Sequence, residues 1–209
     1  MKLRKLAALV LAGISCIFVS RAAATLFPDL FASGTAAGLH TLVSFAATLV
    51  ILLFFVTFSR DYVKSSERAL DKASNLMIIG WAALSLLFLK ELLVVMGSSL
   101  FDSVSFDLFL PWINSAITLY FFAVFYGEGL NEERSGLKNA LVLVIIGSAL
   151  SVLIRTALVI NFMRGGEFKR MWDFAVRYPV IFLPIQLFIF FASFNFYFTF
   201  YRHLRELNR

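Results

Sequence analysis

The stretch LLFLKELLVVM, residues 86–96, sets Lys90 and Glu91 side by side in a run that is otherwise apolar and belongs to a segment long enough to cross a bilayer. Arg21 stands in FVSRAAATLF and Arg155 in SVLIRTALVI, and His40, Asn114 and Gln186 occupy similar settings. A charged side chain at mid-membrane costs about 2.5–3.5 kcal/mol on insertion scales, so such groups face the bundle interior and pair with one another. Counted from the start of each apolar run at about 1.5 Å per residue, Lys90 and Glu91 lie roughly 21–23 Å along theirs. Arg155 and Arg21 lie roughly 24 Å along theirs by the same rise. His40 falls in the first turn of a descending run, Asn114 early in another, and Gln186 somewhat deeper in a third. These depths converge on one polar layer in the outer half of the membrane. Ser148 and Ser151 lead up to Arg155 at helical spacing, Ser44 shares a face with His40, and Thr118 shares one with Asn114.

Within that layer Glu91 is the one acid placed to pair with Arg155, Lys90 or Arg21. A surplus of positive charge around a single carboxylate attracts an anion: a phosphate, a carboxylate or an anionic lipid headgroup, held by charge-assisted hydrogen bonds. The candidate ligand site is therefore Arg155 and Lys90 as anion contacts, Glu91 as their counter-ion, and Arg21 and His40 as secondary contributors. Matching depths pair Glu91 with Arg155.

A purely structural account uses the same residues. Lys and Arg have stems long enough to snorkel to the headgroups, and a Glu91–Arg155 pair would be a strut that fixes helix register. The segment NFMRGGEFKRMWDFAVRYP, 161–179, carries Arg164, Lys169, Arg170 and Arg177 among aromatic residues. It either enlarges the positive field above the layer or lies on the membrane surface as an amphipathic helix.

Other chemistry is thin. His40 and His203 fall at opposite membrane faces, which argues against a paired haem site or a histidine-based metal centre. There is no HExxH, no GxSxG and no glycine-rich phosphate loop. Glu128, Glu132 and Glu133 in YGEGLNEER form a solvated acidic run opposite Arg134 and Lys138. No set of nucleophile, base and oxyanion donor emerges, so neither an enzyme nor a cofactor is the expectation. Cys16 is the only cysteine, so no intrachain disulfide forms.

The elements that position these groups follow from hydropathy. The chain has 209 residues, 60% of them hydrophobic and 15% charged, with mean hydropathy +0.85. Six segments, approximately 5–26, 37–58, 76–97, 108–127, 139–161 and 179–201, hold the ~20 apolar residues that a transmembrane helix needs. The fold class is all-α: an integral membrane bundle of six transmembrane helices, one polytopic domain over 1–209, with no segment left for a soluble domain. The net charge of +6 belongs to membrane flanks facing anionic lipid rather than to nucleic-acid binding. MKLRK followed by an apolar run resembles a signal peptide, but the apolar stretch continues past Arg21, which predicts a retained first helix. Pro28, Pro111 and Pro179 are expected at helix boundaries and Pro184 inside the sixth helix.

Lys and Arg cluster in alternate connections, at 2–5, 60–72, 134–138 and 202–209, and are missing from FPDLFASGTAAG and SSLFDSVSFDLFLP. That alternation predicts both termini on the cytoplasmic side, in a bacterial inner membrane; the 161–179 segment opposes it. Arg60, Lys64, Arg68 and Lys72 recur every fourth residue, which predicts one basic helical stripe against the anionic leaflet. Ala8, Ala12, Cys16, Ser20 and Ala24 recur likewise and predict a close-packing face with Cys16 buried in it. The functional expectation is a protein that binds, and translocates, an anionic small molecule or lipid headgroup. The alternative is a non-transporting subunit or sensor that recognises a membrane partner or a second copy of itself.

Overall fold

The computed structural model describes residues 2–31, 34–64, 66–95, 104–128, 135–165 and 177–206. Within them α1 spans Lys2–Leu26, α2 Pro28–Phe31, α3 Gly34–Asp61, α4 Arg68–Val95, α5 Val104–Glu128, α6 Ser135–Met163 and α7 Pro179–Glu206. All but the single-turn α2 are long and apolar enough to cross a membrane, with windows of mean hydropathy from 1.7 to 2.5. The fold is all-α, and the described residues include no separate soluble domain. The long helices run from 25 to 29 residues. At about 1.5 Å per residue they exceed the ~30 Å hydrocarbon core, so their ends reach the headgroup layers.

Helix starts have local causes. The Glu67 carbonyl accepts the Asp71 amide at 3.0 Å and opens α4. Pro179 takes the first position of α7, where its missing N–H is not needed, and the Tyr178 carbonyl accepts the Ile181 and Phe182 amides at 3.1 and 2.9 Å. Pro184 lies inside α7 as expected. Pro111 does not mark a boundary: α5 begins at Val104, so Pro111 is interior. Residues 104–110 are mostly apolar and extend the helix, as a bilayer demands of any chain whose amides have no water to bond. The Pro111 carbonyl takes a second donor, the Ser115 hydroxyl, at 2.9 Å.

Each long helix packs on its neighbours in sequence, and α1 also packs on α7. The six close into a ring in the order α1, α3, α4, α5, α6, α7. Neighbours run antiparallel. On the α1–α3 seam Gly13 faces Ala47, while Ser20 bonds His40. On the α5–α6 seam Trp112 bonds Thr156 and Ser115 meets Ser151. The start of α1, the end of α7 and the α3–α4 turn thus share one end of the bundle, the basal end; the other is distal.

The basal half is filled by phenylalanine. Phe54, Phe55 and Phe58 of α3, Phe121 and Phe125 of α5, and Phe196 and Phe200 of α7 are almost wholly buried. Phe122 meets Phe196 at 4.8 Å and Phe55 meets Phe121 at 5.0 Å between ring centroids, both edge-on, the favoured arrangement of aromatic quadrupoles. Leu3, Ala7 and Val10 of α1, Leu70 and Met77 of α4, and Leu137 and Leu141 of α6 complete this core. Lipid tails are as apolar as these side chains, so the plug is held by close van der Waals packing rather than by exclusion of water.

Two expectations are corrected. Ala8, Ala12 and Cys16 are exposed on the outer surface of the ring. The packing face of α1 instead carries Leu3, Ala7 and Val10 toward the plug, and α1 comes close to α3 at Gly13, where an added Cβ would lie 3.3 Å from that of Ala47. The basic residues 60–72 do not share a helix either. α3 ends at Asp61 and α4 starts at Arg68, so Arg60 pairs with Asp61 at 2.7 Å, Lys64 lies in the turn, and only Arg68 and Lys72 share a helical face.

Candidate functional site at the distal end

Arg21 lies near the end of α1, His40 in the second turn of α3, Lys90 and Glu91 near the end of α4, and Arg155 in the last third of α6. All five side chains are partly buried. Four of the six long helices therefore deliver a titratable group to the distal half.

Arg21 is the centre of this group. Glu91 of α4 and Arg21 of α1 lie within electrostatic reach of each other. So do His40 of α3 and Arg21, and Arg155 of α6 and Arg21. The expected partner of Glu91 was Arg155; the cation whose electrostatics Glu91 influences is Arg21, and the charge that acts on Arg155 is Arg21. Arg155 therefore faces a second cation, and its Nε is buried with no hydrogen-bond partner among the described residues. The neighbouring residue, Ser20, bonds His40 Nδ1 at 2.6 Å. That bond pins α1 to α3 and orients the imidazole beside Arg21.

Beside and below Arg155 a polar seam joins α5 and α6. Trp112 Nε1 donates to Thr156 Oγ1 at 2.9 Å, one residue from Arg155. Ser115 and Ser151 hydroxyls meet at 3.3 Å, which places the expected Ser151 on the inter-helix face. Thr118 does not bond the Asn114 side chain but its backbone carbonyl, at 2.7 Å. The Asn114 side chain is buried and its Oδ1 accepts no hydrogen bond among the described residues. It fits because residue 80 is glycine: a Cβ there would collide with Asn114 Oδ1. Ser44 is buried on α3 with its hydroxyl likewise unmatched.

The Ser20–His40 bond, the Trp112–Thr156 bond and the Gly80–Asn114 fit are not legible in the sequence, because each depends on how two helices face each other. Of the 161–179 segment, Arg164 and Arg177 are exposed; Lys169, Arg170, Phe168, Trp172 and Phe174 lie outside the described residues, as do Glu132 and Glu133. No cluster of three His, Cys, Asp or Glu side chains able to hold a metal occurs among the described residues.

The fold and its polar end define the class: an integral membrane protein of six apolar helices, with a basic cluster at one end of a helical ring. No protein-family model matches the chain, and no curated protein or solved structure does so either.

Proposed function

We propose that the distal cluster binds an anionic group, a phosphate or carboxylate of a small molecule or lipid headgroup, between Arg155 and Arg21. One observation carries this reading: a buried Arg155 Nε donor has no acceptor among the described residues, and the charge that acts on it is a second guanidinium. A buried unmatched donor is unfavourable, and a charged one more so. An anion bridging the two guanidinium groups supplies the acceptor and cancels the repulsion in one step. Lys90 extends the positive field, Glu91 offsets part of the charge of Arg21, and His40 stands within electrostatic reach of Arg21.

The aromatic plug bears on translocation. With Phe54, Phe58, Phe125 and Phe200 packed across the basal half, an anion entering from the distal end stops above them. Release to the other side requires that plug to open. The charge pattern supports a cytoplasmic basal end: Lys2, Lys5, Lys72, Lys138, Arg202 and Arg205 are exposed there, consistent with an inner membrane. The exposed Ala8, Ala12 and Cys16 favour a second reading, a subunit whose α1 outer face meets another membrane helix.

The test is a thermal-shift screen of phosphate, carboxylate and anionic-lipid compounds on purified protein, with Arg155→Gln and Lys138→Gln alongside. A ligand at about 100 times its dissociation constant stabilises by about 2.7 kcal/mol. That response should vanish in Arg155→Gln and persist in Lys138→Gln. If no anion stabilises the wild type, or Arg155→Gln responds equally, the distal cluster is a strut and the subunit reading takes its place.

A further inference from the structure

The basal end carries a second basic feature, built differently. The turn between α3 and α4 and the first turns of α4 form an open cleft of about 380 Å³, lined by Val63, Lys64, Arg68, Asp71 and Lys72. That volume lies at the lower end of the range of small-molecule sites. Lys64 comes from the turn, and Arg68 and Lys72 from successive turns of one helical face, so three cations converge on a hollow only because the chain breaks between α3 and α4. All three are exposed, and among the described residues none is in a salt bridge.

Two acids lie at the same turn, Asp71 in the cleft wall and Glu67 beside it. Glu67 accepts the Lys64 backbone N–H at 3.1 Å, and Asp71 accepts the Asn75 amide at 3.5 Å. Among the described residues neither forms a salt bridge with the three basic side chains, so three positive charges stand against two negative ones and a net positive charge remains at the cleft. Helix α4 also points its N-terminus, the positive end of its dipole, at this turn.

Depth selects the occupant. Arg68 and Lys72 precede the apolar run of α4, which opens near residue 76, by roughly 6–12 Å at 1.5 Å per residue. The headgroup layer begins within that distance of the hydrocarbon edge. Val63 supplies an apolar wall on the same side as the cations. We infer that this cleft holds the phosphate of an anionic phospholipid, with Lys64, Arg68 and Lys72 around the phosphate oxygens and Val63 against the lipid's glycerol end. A lipid phosphate is already at this depth, whereas a soluble anion must compete for three exposed cations with bulk water and salt.

The test uses the full chain in detergent, carrying Arg155→Gln so that the distal cluster is silent, and counts bound lipid by native mass spectrometry. Phosphatidylglycerol is titrated against phosphatidylcholine, with inorganic phosphate as competitor. Each basic side chain near an anionic lipid surface is worth about fivefold in binding. The single variant Arg68→Gln should lose about fivefold of its phosphatidylglycerol affinity, and Lys64→Gln/Arg68→Gln/Lys72→Gln roughly a hundredfold. A charge-matched control, Lys2→Gln/Lys5→Gln/Arg202→Gln, should lose less than about fivefold, the worth of one such side chain. Circular dichroism checks that each variant is folded, and Arg68→Gln alone decides the matter if the triple variant is not. The inference is overturned if the control loses as much as the cleft variant, since the basal end then attracts lipid only by net charge. It is equally overturned if phosphatidylcholine binds as well, or if inorganic phosphate displaces the lipid at equal concentration.

Discussion

Arg21 shows what a single side chain decides here. It is the group that Glu91, His40 and Arg155 share, so its loss should be felt by all three. A double-mutant cycle of Arg21→Gln with Glu91→Gln should give a coupling of about 1–3 kcal/mol in thermal or denaturant unfolding. The cycle of Arg155→Gln with Glu91→Gln should give much less, because Glu91 acts electrostatically on Arg21 and the charge that acts on Arg155 is Arg21. Arg155→Gln alone should leave the ligand-free protein as stable as the wild type or slightly more so, since it removes a buried cation that repels its neighbour. A large destabilisation by Arg155→Gln would mark Arg155 as a strut. Gly80 offers a steric counterpart. Gly80→Ala should cost about 1–3 kcal/mol by overpacking against Asn114, and Asn114→Ser in the same chain should recover most of it. Counting residues along each apolar run was enough to bring Arg21, His40, Lys90, Glu91 and Arg155 toward one end of the bundle. It carried no information on azimuth or tilt, which is why it paired Glu91 with Arg155 and gave Arg21, the shared partner, a secondary role.

At the scale of elements, the loop charges and hydropathy located every long helix, because apolar length is what the bilayer selects. Starts and stops were less legible. Pro111 looked like a boundary, yet the apolar residues before it keep the helix going. The four-residue period through Arg60 and Lys72 looked like one helical stripe, yet the chain turns between them and makes a cleft instead. Small residues on α1 recur at the spacing of a packing face, but that spacing does not say which of two neighbouring faces meets the bundle. Labelling tests the arrangement. In a Cys16→Ser background, Ser66→Cys in the basal turn and Thr35→Cys at the distal start of α3 should react with an impermeant maleimide from opposite sides of the membrane. Reaction of Thr35→Cys from outside and Ser66→Cys from inside supports a cytoplasmic basal end, and the reverse pattern contradicts that orientation. Labelling of both from one side would contradict the antiparallel ring.

At the scale of the whole molecule, the ring is asymmetric along its axis: aromatic and sealed at the basal end, polar and charge-rich at the distal end. The class of fold was legible because composition alone requires a membrane bundle. The aromatic plug was not, because apolar residues occupy most positions on every side of these helices and no single face stands out in the sequence. Its contribution is measurable: Phe58→Ala should destabilise by about 2–4 kcal/mol, somewhat less than in a water-soluble core, where expulsion of water adds to lost packing. The claim that joins both halves is that an anion sits above the plug, between Arg155 and Arg21. Anomalous diffraction from crystals soaked in selenate, recorded at the selenium edge, addresses it directly. The account predicts a selenium peak between the two guanidinium groups, with oxygens about 2.7–2.9 Å from nitrogens of each, and no such peak in Arg155→Gln crystals. Selenium at the exposed basal lysines and arginines, with none between Arg155 and Arg21, would contradict it.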